Sequence, residues 1–446
     1  MKRVHAVGAF VVCACAATAA AQFEDANHLT APAPETAHLL ELAAGLERPP
    51  AGETARRVVA AAPTPTAEPP LSRRLETDTA PADWRLSAAT RTSPATLTLD
   101  VGGPLGPLLR TTLASDLAYV RAVQVGDDAD FTVQGETVSS RTGVRAHLRI
   151  GPQDGTRGHE RDYQGPEEGL LAFAHSFADD AVEALTGRRS GFAGRLAFSR
   201  RVARGRKDIF VAAADGRNLE RMSSGHGIAT LPAFGPGGVF YSVATPAGVF
   251  ITRSGLDDRP LIGGRRTNMG ARYCNGRLYF ASSRDGNMDI YSVLPDGTDE
   301  RRLTDDEGID VSPTCAPGGN IAFVSSRRGR PQVFLRSAGD GPAANIEQLT
   351  DGPGESQTPA LCGRFLAYTE VEDGMRVVLL NRETGVRRQV SPRTAGDHQD
   401  PAFSPGCRML AWVGPEGLLV ARRDGHLRRV IVESAPGALG TVRWER

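Results

Sequence analysis

Hydrophobic and polar positions change rhythm three times along this chain, and each rhythm predicts a different kind of structure. Val4–Thr18 is a run of small, mostly apolar residues broken by His5, preceded by Lys2 and Arg3 and followed by Ala19-Ala20-Ala21. A charged start, a short apolar stretch and a small-residue cleavage site predict an export signal over residues 1–21. The run falls short of the roughly 20 apolar residues that a spanning helix needs, and no other segment reaches that length. Residues 22–94 lose periodicity in a background of Ala, Pro, Thr, Glu and Arg, which predicts a largely disordered arm. Within it, Glu35–Leu46 places Leu39, Leu42, Ala43 and Leu46 on one helical face.

Over residues 95–192 alternating and helical patterns follow one another. Leu97–Val101 alternates as a strand, and Pro104–Ala118 sets Leu105, Leu108, Leu109, Leu113 and Leu117 at helical spacing. Val120–Val125, Asp130–Gln134, Thr142–Ile150 and, more weakly, His159–Gln164 read as strands. Glu167–Leu185 reads as an amphipathic helix with Leu170, Leu171, Phe173, Ala174, Phe177, Ala178, Val182 and Leu185 inward, ended by Gly187. The order β-α-β-β-β-β-α predicts a small sheet with helices packed on it. Gly102-Gly103-Pro104 is no phosphate loop, because no Gly-Lys-Ser/Thr follows.

From residue 193 the chain repeats itself. Leu196–Ser199, Leu278–Ser282, Ile321–Ser325, Phe365–Thr369 and Met409–Trp412 are equivalent strands. A second strand follows in most of them, such as Asp289–Val293, then a turn glycine at 216, 255, 297, 341, 385 or 425. A third strand, as in Arg302-Leu303-Thr304, closes the unit; Pro232-Ala233-Phe234, Pro313-Thr314-Cys315, Pro359-Ala360-Leu361 or Pro401-Ala402-Phe403 opens the next. Short strands at a period of roughly 40–44 residues are the signature of propeller blades. The first repeat lacks an opening element, and Gly440–Trp444 is a spare one at the other end. The fold class predicted is therefore an α/β N-terminal domain followed by an all-β six-bladed β-propeller over 193–446. Thr441–Trp444 completes its first blade and closes the ring.

Composition adds limits. Lys+Arg and Asp+Glu are 52 each, a balance that argues against binding a nucleic-acid backbone. Lysine occurs only at Lys2 and Lys207, which reads first as a compositional bias. Val12-Cys13-Ala14-Cys15 loosely resembles a lipoprotein acylation motif, so anchoring at Cys15 is the alternative form of export. Cys274, Cys315, Cys362 and Cys407 recur at near-repeat spacing without a CxxC, which disfavours zinc and leaves buried thiols or disulfides between neighbouring units. No metal or other cofactor is expected.

The helix-to-repeat junction, Ala174–Gly187 with Gly191-Phe192 and Arg195–Phe198, resembles the corresponding segment of the TolB family. Ser283–Gly286, Asp289–Tyr291, Asp296-Gly297, Leu303-Thr304 and Pro401–Gly406 are similar to that family's blade motifs. The resemblance covers about residues 95–446. It implies a periplasmic adaptor of the Tol–Pal system whose propeller binds a Pal-like peptidoglycan-associated lipoprotein and supports outer-membrane integrity and cell division. It also implies contact with inner-membrane Tol proteins through the N-terminal arm or domain. The family's mature chain begins close to its α/β domain, whereas here residues 22–94 intervene. Cys274-Asn275-Gly276 and Cys362-Gly363 replace the family's Ser-Pro-Asp turn.

No enzymatic activity is expected. The sequence has no GxSxG or HExxH motif, and nothing follows the propeller that would carry a hydrolase domain. His175 reads as a packed or capped helical histidine, and Asp179-Asp180 as a solvated helix face. Loops joining the third strand of one blade to the first of the next converge around a propeller's channel. Here they carry His226, Asn268, Asp310, Gln357 and His398, a mixed polar set suited to hydrogen bonding on a broad rim and expected to bind the lipoprotein. A propeller that takes a small ligand or sugar in its channel, or a hydrolase-like propeller protein, is the alternative.

Overall fold

The computed structural model describes residues 93–445, apart from 128, 154–157, 224, 226, 258, 264–265, 340–341, 343 and 394–395. The export signal, Cys15 and almost all of the arm, with Glu35–Leu46, lie outside the described residues. The first unit has strands β1 (Ala95–Gly102), β2 (Val123–Val125), β3 (Phe131–Ser140), β4 (Gly143–Pro152) and β5 (His159–Gly165). Helix α1 (Gly106–Leu117) follows β1, and α2 (Leu170–Thr186) follows β5. The sheet order is β2-β1-β3-β4-β5, with β1 parallel to both neighbours and the other pairs antiparallel. Alternation places Leu97 and Val101 of β1, and Val144, Ala146, Leu148 and Ile150 of β4, in the core. Leu109, Leu113 and Leu117 of α1 meet them, with Leu170, Phe177 and Val182 of α2, while Leu108 turns outward. Gly187 caps α2 in the left-handed region, its N–H donating to the Glu183 carbonyl at 2.7 Å.

The remaining strands form a β-propeller. Four separate four-stranded antiparallel sheets start at Asn268, Asp310, Glu355 and Gln399. A seven-stranded sheet holds two further groups. The C-terminal strand Leu439–Trp444, Arg195–Ala203, Arg206–Ala213 and Glu220–Arg221 form one; Ile228–Gly235, Gly238–Thr245 and Gly248–Arg253 form the other. A single parallel pairing, Lys207 with Ile228, joins them. In the second group an isolated Ile251–Ile262 bridge stands where the other groups have a fourth strand. Pro260 offers no N–H to extend that pairing.

The expected C-terminal pairing is present: Leu439–Trp444 runs antiparallel to Arg195–Ala203, with Trp444 opposite Leu196. Among the expected turn glycines, 216, 255, 297, 385 and 425 have positive φ, and Gly341 lies outside the described residues. A hydroxyl that recurs just after the outermost strand of four repeats has a structural cause. Ser223, Thr304, Thr350 and Ser391 each accept a backbone N–H of the preceding strand, from Ile209, Ile290, Val333 and Val377, at 2.9–3.1 Å.

The junction between the two units is polar and buried. Asp179 and Asp180 are 3% and 6% exposed, which corrects the solvated face expected of them. Asp179 accepts the backbone N–H groups of Ser190, Gly191 and Ala193 at 2.6–3.1 Å, fixing the linker as it leaves α2. Asp180 is ion-paired to Arg161 and Arg189. A Cβ at Gly406 would lie 1.8 Å from the Arg189 carbonyl oxygen, so the linker and the last repeat approach as closely as only glycine permits.

His175 of α2 bonds Asp116 of α1 at 2.6 Å and, through its other nitrogen, Asp215 of the first repeat at 3.3 Å. Burial opposes its charge, but the bonds to Asp116 and then Asp215 outweigh burial and hold the imidazole up at about 9. An unfolded histidine titrates near about 6.5. The clasp thus stabilises the fold fully below that value, and its contribution is lost as pH rises through about 9. Burial pushes the Asp116 carboxyl up. Urea titrations should show wild-type stability falling by about 3 kcal/mol from neutral to alkaline pH relative to His175→Gln; parallel profiles would refute the clasp.

Candidate functional site

Six strands line the propeller axis: Ile228–Gly235, Asn268–Cys274, Asp310–Cys315, Glu355–Cys362, Gln399–Phe403 and Leu439–Trp444. Each breaks register once against its neighbour. At each break one residue takes positive φ: Leu231, Gly270, Ser312, Thr358, Asp400 and Thr441. Only Gly270 adopts this without steric cost; for Leu and the β-branched threonines it is uncommon. Side chains of preceding repeats hold several of these bulges. Thr369 Oγ1 accepts Asp400 N–H, Asp400 Oδ2 accepts Thr441 N–H, Thr441 Oγ1 accepts Leu231 N–H, and Ser242 Oγ accepts Gly270 N–H, all at 3.0–3.1 Å. Lys207, the lone lysine of the described residues, is buried nearby, its amine held down to about 8 by burial and then by the Arg201 charge. Burial also raises the Asp400 carboxyl to about 6.

Four of the residues expected to form a binding rim, Asn268, Asp310, Gln357 and His398, sit at or next to the N-terminal ends of these strands. Asn268, Asp310 and His398 are not exposed there: they are 1%, 0% and 1% accessible. Asn268 Oδ1 accepts from Ser282 Oγ and Arg284 Nη2, at 2.8 and 2.7 Å. Asp310 takes Arg327 at 2.8 Å, and burial raises its carboxyl to about 6 against that ion pair. Both arginines lie over two aromatic rings of their own sheet, Phe280 with Tyr291 and Phe323 with Phe334. His398 Nδ1 accepts from Trp412 Nε1 at 3.1 Å, and burial lowers the imidazole pKa. Gln357, half-buried, donates to Glu355. His226 lies outside the described residues. Asn268, Asp310 and His398 anchor strand ends, because partners fourteen to seventeen residues downstream reach back to them.

The open surface lies at the C-terminal ends of the same strands. A cavity of about 370 Å³ there takes wall residues from all six, among them Phe234, Tyr273, Cys315, Ala360, Phe403 and Trp444. Arg195, Arg272 and Arg443 add positive charge at its mouth. Glu445 holds Arg195 in a two-point ion pair at 2.8 and 2.7 Å, and Arg195 also lies 5.5 Å over Phe234. Arg272 donates to the Pro232 carbonyl at 3.1 Å. Aromatic rings beside positioned guanidinium groups form a wall suited to protein recognition. The recurring Pro-Ala-Phe elements were the signal for this cavity: their repetition marked the ring of strand ends that builds it.

Comparison with known proteins agrees with this architecture. A family model for the TolB beta propeller domain matches residues 274–434. A TolB homolog of Chlorobium luteolum is 36% identical over 188 residues, covering 41% of this chain and 43% of that protein. The Tol-Pal system protein TolB of Geobacter sulfurreducens is 32% identical over 111 residues, 24% of each chain. The chain thus spans less than half the length of these curated relatives in the matched regions. The crystal structure of TolB from Acinetobacter baumannii superposes with a TM-score of 0.61 at 19% identity, covering 79% of this chain and 97% of that one, a likeness of fold. Its propeller repeats are thus similar in sequence to the TolB beta propeller domain, and its fold is similar to that of a solved TolB structure.

Proposed function

We propose that the protein is an exported, non-enzymatic adaptor of a Tol–Pal system that binds a Pal-like peptidoglycan-associated lipoprotein and supports outer-membrane integrity and cell division. The observation that carries this reading is the single cavity to which all six axial strands contribute aromatic, aliphatic and arginine groups. Two disulfides, Cys274–Cys315 and Cys362–Cys407, support an oxidising compartment such as the periplasm. We divide the chain into a signal at 1–21, an arm at 22–94, an α/β domain at 95–192 and a propeller at 193–446. The lone parallel bridge in the seven-stranded sheet supports counting that sheet as two blades, for six in all. The arm or the α/β domain is the proposed contact for inner-membrane Tol proteins.

Calorimetric titration of the soluble lipoprotein domain tests the binding surface. Tyr273→Ala and Arg272→Glu should each weaken binding by about tenfold or more, as expected for anchor residues of an interface, with circular dichroism unchanged. Gln357→Glu, at the other end of the strands, should bind as wild type. Loss confined to Gln357→Glu would move the surface to the opposite end, and no lipoprotein binding by wild type would overturn the adaptor reading.

A further inference from the structure

A second cleft, of about 540 Å³, lies between the two units. Its walls come from the turn after α1, the linker after α2 and hairpins of the last two repeats. Six arginines line it against two carboxylates, Glu383 and Asp424. Both carboxylates are already engaged: Glu383 holds Arg364 at 3.1 Å, and Asp424 holds Arg422 at 2.8 Å as well as Arg121. Among the described residues, Arg188, Arg408 and Arg423 have no carboxylate partner.

Two of the three, Arg408 and Arg423, are nonetheless held in place. Arg423 donates to the Cys407 carbonyl at 2.6 Å and lies 3.7 Å over the Phe365 ring, which Arg364 also approaches at 5.2 Å. Cys407 is itself fixed by its disulfide to Cys362, another wall residue. Arg408 donates to Thr186 Oγ1 at 2.6 Å, while its Nε is buried without a hydrogen-bond partner. Burial, then the neighbouring like charges, push the Arg423 guanidinium down to about 10 and that of Arg408 in the same direction. Six guanidinium groups are thus packed together here against only two carboxylates, among the described residues.

We propose that this cleft binds a phosphate group, carried by a soluble phosphate ester or by a lipid headgroup. Guanidinium forks match phosphate oxygens and grip them in pairs. A phosphate monoester brings roughly −1.5 to −2 charges at neutral pH. A single carboxylate would leave most of the excess unbalanced. The chain's zero net charge conceals this local surplus.

Calorimetry of the full chain with inorganic phosphate and pyrophosphate, and sedimentation with phosphatidylcholine vesicles with or without phosphatidic acid, test the site. Saturable binding is expected, weakened about tenfold or more by Arg423→Gln, the loss expected for a charge-assisted hydrogen bond. Arg188→Gln, an exposed position whose change leaves the fold intact, should weaken it as well and so separates binding from stability. Binding of free phosphate alone assigns a soluble ester; binding of the phosphatidic acid vesicles assigns a headgroup. No saturable binding in either arm, tighter binding of citrate than of pyrophosphate, or affinity unchanged in both variants would overturn the proposal.

Discussion

Deleting residues 439–446 is expected to abolish the cooperative thermal transition of the propeller. The C-terminal strand is the partner of Arg195–Ala203, and it buries Leu439, Val442 and Trp444 to 5% exposure or less. Removing three such side chains from a core costs about 1.5–3 kcal/mol each, a total comparable to the roughly 5–15 kcal/mol that holds a typical domain together. The loss extends beyond area. Thr441 accepts the Leu231 N–H from one neighbouring strand and donates its own N–H to Asp400 of the other, so the deletion also unsatisfies two bulges. The strand that remains exposes unpaired N–H and carbonyl groups, a template for aggregation. Far-ultraviolet circular dichroism during heating should show a broad, early transition with precipitation. A truncated chain melting sharply at the wild-type temperature would show that the C-terminal strand contributes nothing to the fold.

The C-terminal pairing was readable because repetition is a local signal: turn glycines, alternating strands and a missing opening element all recur in one dimension. Partners across the fold are not recorded that way. Asp179 and Asp180 look like a solvated pair because charge on a helix ordinarily faces water. Their partners are linker amides and the guanidinium groups of Arg161 and Arg189, which only folding brings together. Asn268 and Asp310 were misread for the same reason. Polar residues at strand starts usually meet solvent, but here Arg284 and Arg327, flattened on aromatic rings, reach back and cover them. The arginine cleft left no trace in sequence at all, because its members come from both units and from distant hairpins. Chain-wide charge counting erased it.

Breaking the two disulfides is expected to produce the second-largest loss. The sequence left thiols and bridges equally open; the structure pairs Cys274 with Cys315 and Cys362 with Cys407, with Cα atoms 5.7 and 5.6 Å apart. Each bridge joins adjacent repeats, across 41 and 45 residues of chain; Cys274, Cys315 and Cys362 end axial strands, and Cys407 lies in the turn after Phe403. Closing loops of that length removes unfolded-state entropy worth about 4 kcal/mol per bridge in the chain-entropy account. Guanidinium titrations should therefore place the Cys274→Ser/Cys315→Ser and Cys362→Ser/Cys407→Ser pairs well below wild type, with reductant lowering wild type and leaving the quadruple variant unmoved. The two pairs should differ in one respect. Cys407 supplies the carbonyl that holds Arg423 over Phe365, so only the second pair should disturb the arginine cleft. Four free thiols titrated in the native protein, or midpoints equal to wild type in both pairs, would remove the bridges from the account of its stability.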